Sequence, residues 1–150
     1  MTVNFVKIIR RVIILNAKEY LSQVQEKERQ IKKQEDYIAR LKETLDVAGV
    51  RYDKEVVQSS PEPDPMAKVF SKICEEEKKL EKLMRECSDF RLMVMEEINL
   101  LDNFVYRKLL FMVYIHGMNL AEYSKSENYS YGYIRNMHTK ALKQFEEKFL

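Results

Sequence analysis

The sequence predicts an all-α fold: a long helical coiled-coil arm or hairpin followed by a C-terminal three-helix helix-turn-helix domain. Three observations predict it. The 150 residues hold only 3 Gly and 3 Pro, and the Pro fall together; strands need frequent turns, so scarce breakers favour long helices. Two segments repeat apolar residues every seven positions. From about residue 102 the chain instead breaks into short stretches, each opened by a capping residue. With 45% hydrophobic and 33% charged residues, the chain is expected to fold and stay soluble.

Residues 1–47 are predicted to be the first helix. Val24, Ile31, Ile38 and Leu45 recur at heptad spacing, with Ala17 one heptad earlier. Leu41 adds a second seam position, but Lys27 and Gln34 fill the equivalent sites. The rest is charged, as in Gln25-Glu-Lys-Glu-Arg-Gln-Ile-Lys-Lys-Gln-Glu35. One narrow apolar stripe packs against a partner helix and builds no globular core. The opening Phe5-Val-Lys-Ile-Ile-Arg-Arg-Val-Ile-Ile-Leu15 is too short for a membrane span and carries three charges. No small-residue cleavage site follows it, so it does not read as a signal peptide. No membrane association is expected.

Residues 48–65 read as a linker. Gly49 can end the first helix in a left-handed conformation. Ser59-Ser-Pro-Glu-Pro-Asp-Pro65 cannot continue it, because each Pro lacks an amide donor and restricts its neighbour. Asp64 then caps the next helix, with Pro65 at its first position.

Residues 66–101 form the second long helix. Met66, Ile73, Leu80, Cys87, Val94 and Leu101 keep heptad spacing, with Phe70, Met84 and Ile98 on the neighbouring seam and Glu77 and Arg91 as interruptions. Unbroken, it spans roughly 54 Å at 1.5 Å per residue; Cys87-Ser-Asp89 is the expected kink. Val24, Ile31, Ile38, Leu45, Ile73, Leu80 and Val94 are the expected oligomerisation seam of a homodimer or higher homo-oligomer. The linker also permits an antiparallel hairpin within one chain.

Residues 102–150 are predicted to be the helix-turn-helix domain. Asp102 can cap a helix through Phe104, Val105, Leu109, Met112 and Val113 to His116, where Gly117 stops it. Asn119-Leu-Ala-Glu122 resembles a capping box and opens a short helix to about Glu127. Asn128-Tyr129 makes a turn, and Ser130 caps a last helix through about Phe145 with an apolar stripe of Ile134, Met137, Ala141, Leu142 and Phe145. This is helix-turn-helix grammar, in which the last helix enters the major groove.

Its outward residues, Tyr131, Gly132, Arg135, Asn136 and Thr139, are the candidate base readers. Arg forks onto guanine, Asn onto adenine, and a Thr methyl suits thymine. Ser130 and the amides at that helix start, with Lys125, Lys140 and Lys143, are the candidate phosphate contacts. The whole chain carries +2, which excludes a polybasic binder. Residues 103–150 hold seven Lys or Arg against four Asp or Glu, a balance of +3.

Cys74 and Cys87 have no zinc-ligand spacing to each other or to His116 and His138, so no metal or other cofactor is expected. Neither His has a nucleophile or metal partner in the pattern, and no enzymatic activity is expected.

Arg107 to Leu142 resembles the −35-reading region 4 of sigma-70-type factors. Gly117-Met-Asn-Leu-Ala-Glu122 resembles the entry to that family's motif. Ser130-Tyr-Gly-Tyr-Ile-Arg-Asn-Met-His-Thr-Lys-Ala-Leu142 resembles its recognition helix. Over about residues 20–150 the chain is similar to phage- and prophage-encoded proteins of the ArpU/RinA type, whose joining segment resembles Val50-Arg-Tyr-Asp53, Val57-Gln-Ser-Ser60 and Asp64-Pro-Met66. The resemblance implies a transcription regulator of late or packaging genes, acting on double-stranded DNA in the bacterial cytoplasm. Its helical arm would dimerise it or contact RNA polymerase. The chain departs from the pattern at Tyr123, Ser124 and Glu127, the last implying a shorter first motif helix. Tyr131 and Gly132 are not the usual charged pair, which leaves any −35-like preference open. No −10-melting domain is present, so the resemblance does not extend to a complete sigma factor. The alternative is a protein-interaction adaptor that docks polymerase or another phage protein, or a small terminase subunit.

Overall fold

The computed structural model describes residues 16–50 and 65–150. The apolar opening through Leu15 and most of the linker, with its Asp64 cap, lie outside the described residues. Among the described residues every regular element is helical: α1 (Ala17–Val50), α2 (Pro65–Asn99), α3 (Phe104–Leu110, continued by a π-helical turn, Phe111–Ile115), α4 (Leu120–Ser126) and α5 (Tyr131–Phe149). The all-α prediction stands. Helix α1 runs through Gly49, which lies in its last turn rather than ending it, and α2 continues through Cys87-Ser-Asp89.

Contacts divide the chain into two compact units. One takes in the described residues up to Glu26 together with Cys87–Leu150; the other is Lys27–Glu86.

In the Lys27–Glu86 unit, α1 and α2 pack along one narrow seam. Ile38 and Ile73 are buried, while Ile31, Leu45 and Leu80 are half-buried. Gln34 donates to the Glu76 carbonyl at 3.2 Å and to its carboxylate at 2.7 Å, and Lys42 meets Glu77 at 2.7 Å. Tyr37 lies near Lys72, one turn before Glu76, so the helices run antiparallel within one chain. Glu76 is buried yet charged. Hydrogen bonds from Lys79, Gln34 and Lys72 hold its pKa down at about 2 against the cost of burial. A buried carboxylate persists only when its oxygens are paired in this way.

The other unit has a layered core. Ala17, Tyr20, Leu21 and Val24 of α1 pack against Val94 and Ile98 of α2, Leu101, Leu110, Tyr114 and Ile115, and Ala141 and Phe145 of α5. Val24 and Val94, expected on an oligomerisation seam, are wholly enclosed by this core. The unit therefore takes in more chain than the 102–150 segment. The apolar face of α1 is wide here, at positions 17, 20, 21 and 24, and a wide stripe packs into a core rather than on a single helix. Asn16 and Glu19 form a capping box that starts α1: the Glu19 amide donates to Asn16 Oδ1 at 2.9 Å, and Glu19 Oε2 accepts from the Asn16 amide at 3.4 Å. Tyr20 donates its hydroxyl to Glu97 at 2.8 Å while its ring stacks on Phe145 at 5.9 Å.

Candidate nucleic-acid interface

The cap of α3 is Asn103, not Asp102. Asn103 Oδ1 accepts from the amides of Val105 and Tyr106, whereas Asp102 pairs with Lys148 at 3.2 Å. The helix widens at Phe111, where His116 N–H reaches back to the Phe111 carbonyl at 3.2 Å. Gly117 follows at φ +74, the left-handed conformation expected of a helix stop, and Met118 N–H closes onto Met112 O at 3.0 Å. The capping box at Asn119 is complete: the Glu122 amide donates to Asn119 Oδ1 at 2.9 Å, and Glu122 Oε2 accepts from the Asn119 amide at 3.0 Å.

Helix α4 ends at Ser126, one residue short of Glu127. The Glu127 carboxylate turns away to meet Lys108 at 2.8 Å. Asn128, at φ +57, makes the reversal, a conformation that Asn tolerates better than most residues. Ser130 then caps α5 by accepting from the Tyr133 amide at 3.2 Å. Helix α5 continues to Phe149, a full turn past the expected end, because Lys148 reaches the Leu100 carbonyl at 2.6 Å and the Phe149 ring lies tilted against Phe145.

A second cluster, Leu109, Tyr123, Ile134 and Met137, locks α3, α4 and α5 together and fixes how α5 is presented. Tyr123, one of the departures from the resemblance, thus fills a buried apolar position. Ser124 is buried too, with its hydroxyl bonded to the Ala121 carbonyl at 2.8 Å. With Ile134, Met137, Ala141 and Phe145 turned inward, Gly132, Arg135, Asn136, Thr139, Lys140 and Lys143 share the solvent side of α5. Thr139 spends its hydroxyl on the Arg135 carbonyl at 3.1 Å, which leaves its methyl as the outward feature. Tyr131 is half exposed at the helix start, and Tyr129 and Tyr133 lie against each other beside it at 5.0 Å. Lys125 and Ser130 are exposed on either side of the turn. Lys143 has Glu147 at 3.8 Å, an exposed pair that holds it weakly. The sequence-predicted base residues are thus all exposed on α5, with Lys140 and Lys143 further along it and Ser130 and Lys125 exposed before its start.

Sequence reasoning missed the floor and far wall beside this surface. A cleft of about 500 Å³ runs along α5, with Tyr131, Arg135 and Thr139 on one side and Lys18 and Gln25 of α1 on the other. Gln25 is anchored by donating to the Val113 carbonyl at 2.8 Å. At the floor, the Tyr114 hydroxyl and His138 Nε2 are 3.0 Å apart, with the rings stacked. Burial pushes the Tyr114 hydroxyl up to about 12; burial, and then the charge of Lys18, push the His138 imidazole below its ordinary value. The wide 17/20/21/24 stripe was the signal that α1 belongs to this unit.

Compared with protein-family models, with curated proteins and with solved structures, the chain matches none.

Proposed function

We propose that this chain is a DNA-binding transcription regulator of the phage-encoded kind its sequence resembles, with α5 laid in the major groove. The observation that carries the reading is the exposed row of Gly132, Arg135, Asn136 and Thr139. It lies in the first half of a Ser-capped helix whose opposite face is locked onto α4. Arg135 then forks onto guanine, Asn136 onto adenine, and Thr139 offers a methyl to thymine. Gly132 admits close approach of the backbone, and Ser130, Lys125, Lys140 and Lys143 meet phosphates. A single helix-turn-helix buries little surface, so a homodimer gains from linked binding, formed through a surface other than the Val24, Ile38, Ile73 and Val94 contacts that close within one chain. Late or packaging genes of a phage, transcribed in the bacterial cytoplasm, are the targets the resemblance implies, with RNA polymerase as a second partner.

Selection of bound duplexes from a random pool, at near-physiological salt, tests the reading. Wild type is expected to enrich a motif, and Arg135→Ala/Asn136→Ala to lose it. Equal enrichment by both proteins would refute the base-reading assignment. A second reading is an adaptor, favoured by the half-exposed Tyr129, Tyr131 and Tyr133 at the tip. Its small-terminase form requires a stable ring of many subunits, which sedimentation distinguishes from a dimer.

A further inference from the structure

We infer that the cleft between the start of α1 and the first half of α5 belongs to the DNA interface, and that Lys18 meets a backbone phosphate there while Arg135, on the facing wall, keeps its base contact. The inference rests on the proposed DNA-binding reading and adds a contact from an element far away in sequence. A helix laid in the major groove has a sugar-phosphate strand along each flank. On the flank of α5 that carries Tyr131, Arg135 and Thr139, the facing wall is α1. That wall presents Lys18, which is exposed and has no carboxylate partner among the described residues. The residues lining the cleft include two cations, Lys18 and Arg135, and no carboxylate. Such a concave site with one sign of charge concentrates an anion of the opposite sign. Gln25, tied to Val113, keeps this stretch of α1 in place, and the capping box at Asn16 fixes the helix start two residues ahead of Lys18. The cleft is thus a rigid seat rather than a loose lysine.

Duplex binding as a function of salt tests the proposal. Lys18→Ala is expected to weaken every sequence alike and to flatten the log–log salt slope by about one, the signature of one lost phosphate contact. Lys18→Arg should restore both, and the selected motif should not change. A second readout comes from His138 at the cleft floor, faced by Lys18, Arg135 and Tyr114. A phosphate beside it raises its pKa, so the imidazole titration followed by NMR should move up with duplex DNA and hold still with inorganic phosphate. The same rise with inorganic phosphate but none with duplex would overturn the proposal in favour of a free-anion site. An unchanged slope in Lys18→Ala, with sequence selection intact in wild type, overturns it and leaves the DNA reading standing. Tighter binding by Lys18→Ala overturns it by making α1 an obstruction. Failure of wild type to bind any duplex overturns both.

Discussion

Phe145→Ala is the sharpest test of the packing that presents α5. Phe145 is wholly buried, against Tyr20 at 5.9 Å and Phe149 at 4.8 Å. Its cluster also contains Leu21, Ile98, Leu101 and Leu110, all with no exposure, drawn from α1, α2, the following turn and α3. Removing the ring forfeits its transfer free energy and leaves a cavity that these separately anchored elements cannot collapse. The cost should therefore sit in the upper half of the Phe→Ala range, about 4 kcal/mol. For a chain of this size that lowers the melting midpoint by roughly 8–16 °C. Phe104→Ala is the control: Phe104 is 66% exposed, and its removal should change stability by less than about 0.5 kcal/mol. Urea unfolding of the full chain, followed by near-ultraviolet dichroism of the tyrosines, measures both. A loss below about 1.5 kcal/mol for Phe145→Ala, well under the usual Phe→Ala cost, or equal losses for the two variants, would refute the assignment of α1 and α5 to one core.

Two further outcomes follow from the same geometry. Gly132 sits in the first turn of α5 with nothing within 4 Å of an added Cβ. Gly132→Ala should raise stability by about 0.5 kcal/mol through backbone entropy while weakening duplex binding several-fold, because in the proposed DNA complex the methyl stands between backbone and base. Stability and affinity moving in the same direction would contradict its place in the interface. His138 has a lowered pKa in the folded chain, from burial first and Lys18 second. The stability it contributes is complete above the ordinary imidazole value near 6.5 and is lost as pH falls through the lowered one. Chemical denaturation between pH 7.5 and 5 should show that decline in wild type and a flatter profile in His138→Gln; identical profiles would remove His138 from the acid sensitivity.

What the sequence disclosed was mostly local chemistry. Ser130, the Asn119–Glu122 box, Gly117 and the Ile134/Met137/Ala141/Phe145 stripe each carry their own structural instruction, and each sits where its chemistry placed it. Glu127 foretold the early end of α4, since a carboxylate does not extend an apolar stripe. The misplaced cap of α3 has a non-local cause: Asp102 and Asn103 are both good caps, and Lys148, distant in sequence, takes Asp102. The π-helical turn after Leu110 has no sequence marker, because one extra residue in a helix changes no composition. The Asn16–Glu19 box was written in the sequence but hidden behind the apolar run that precedes it. The candidate base readers followed from spacing on one helix. Lys18 did not, since its relation to α5 depends on packing that heptads do not encode. The heptads marked the seam of the Lys27–Glu86 unit but not that both helices of that seam belong to one chain.

Tyr20, Leu21 and Val24 find their partners near the other end of the chain. During synthesis at ~5–20 residues per second, Phe145 follows Tyr20 out by roughly 6–25 s. Through that interval the apolar side of α1 has no Phe145 to close on, a standing invitation to chaperones or to a neighbouring nascent chain. This core cannot close until α5 has emerged. A message cut short before α5 yields a product that has α1 but not the packing of Ala141 and Phe145 that shelters its apolar face. Under the proposed DNA-binding reading, a chain without α5 cannot compete for an operator, so an unfinished copy does not occupy the target.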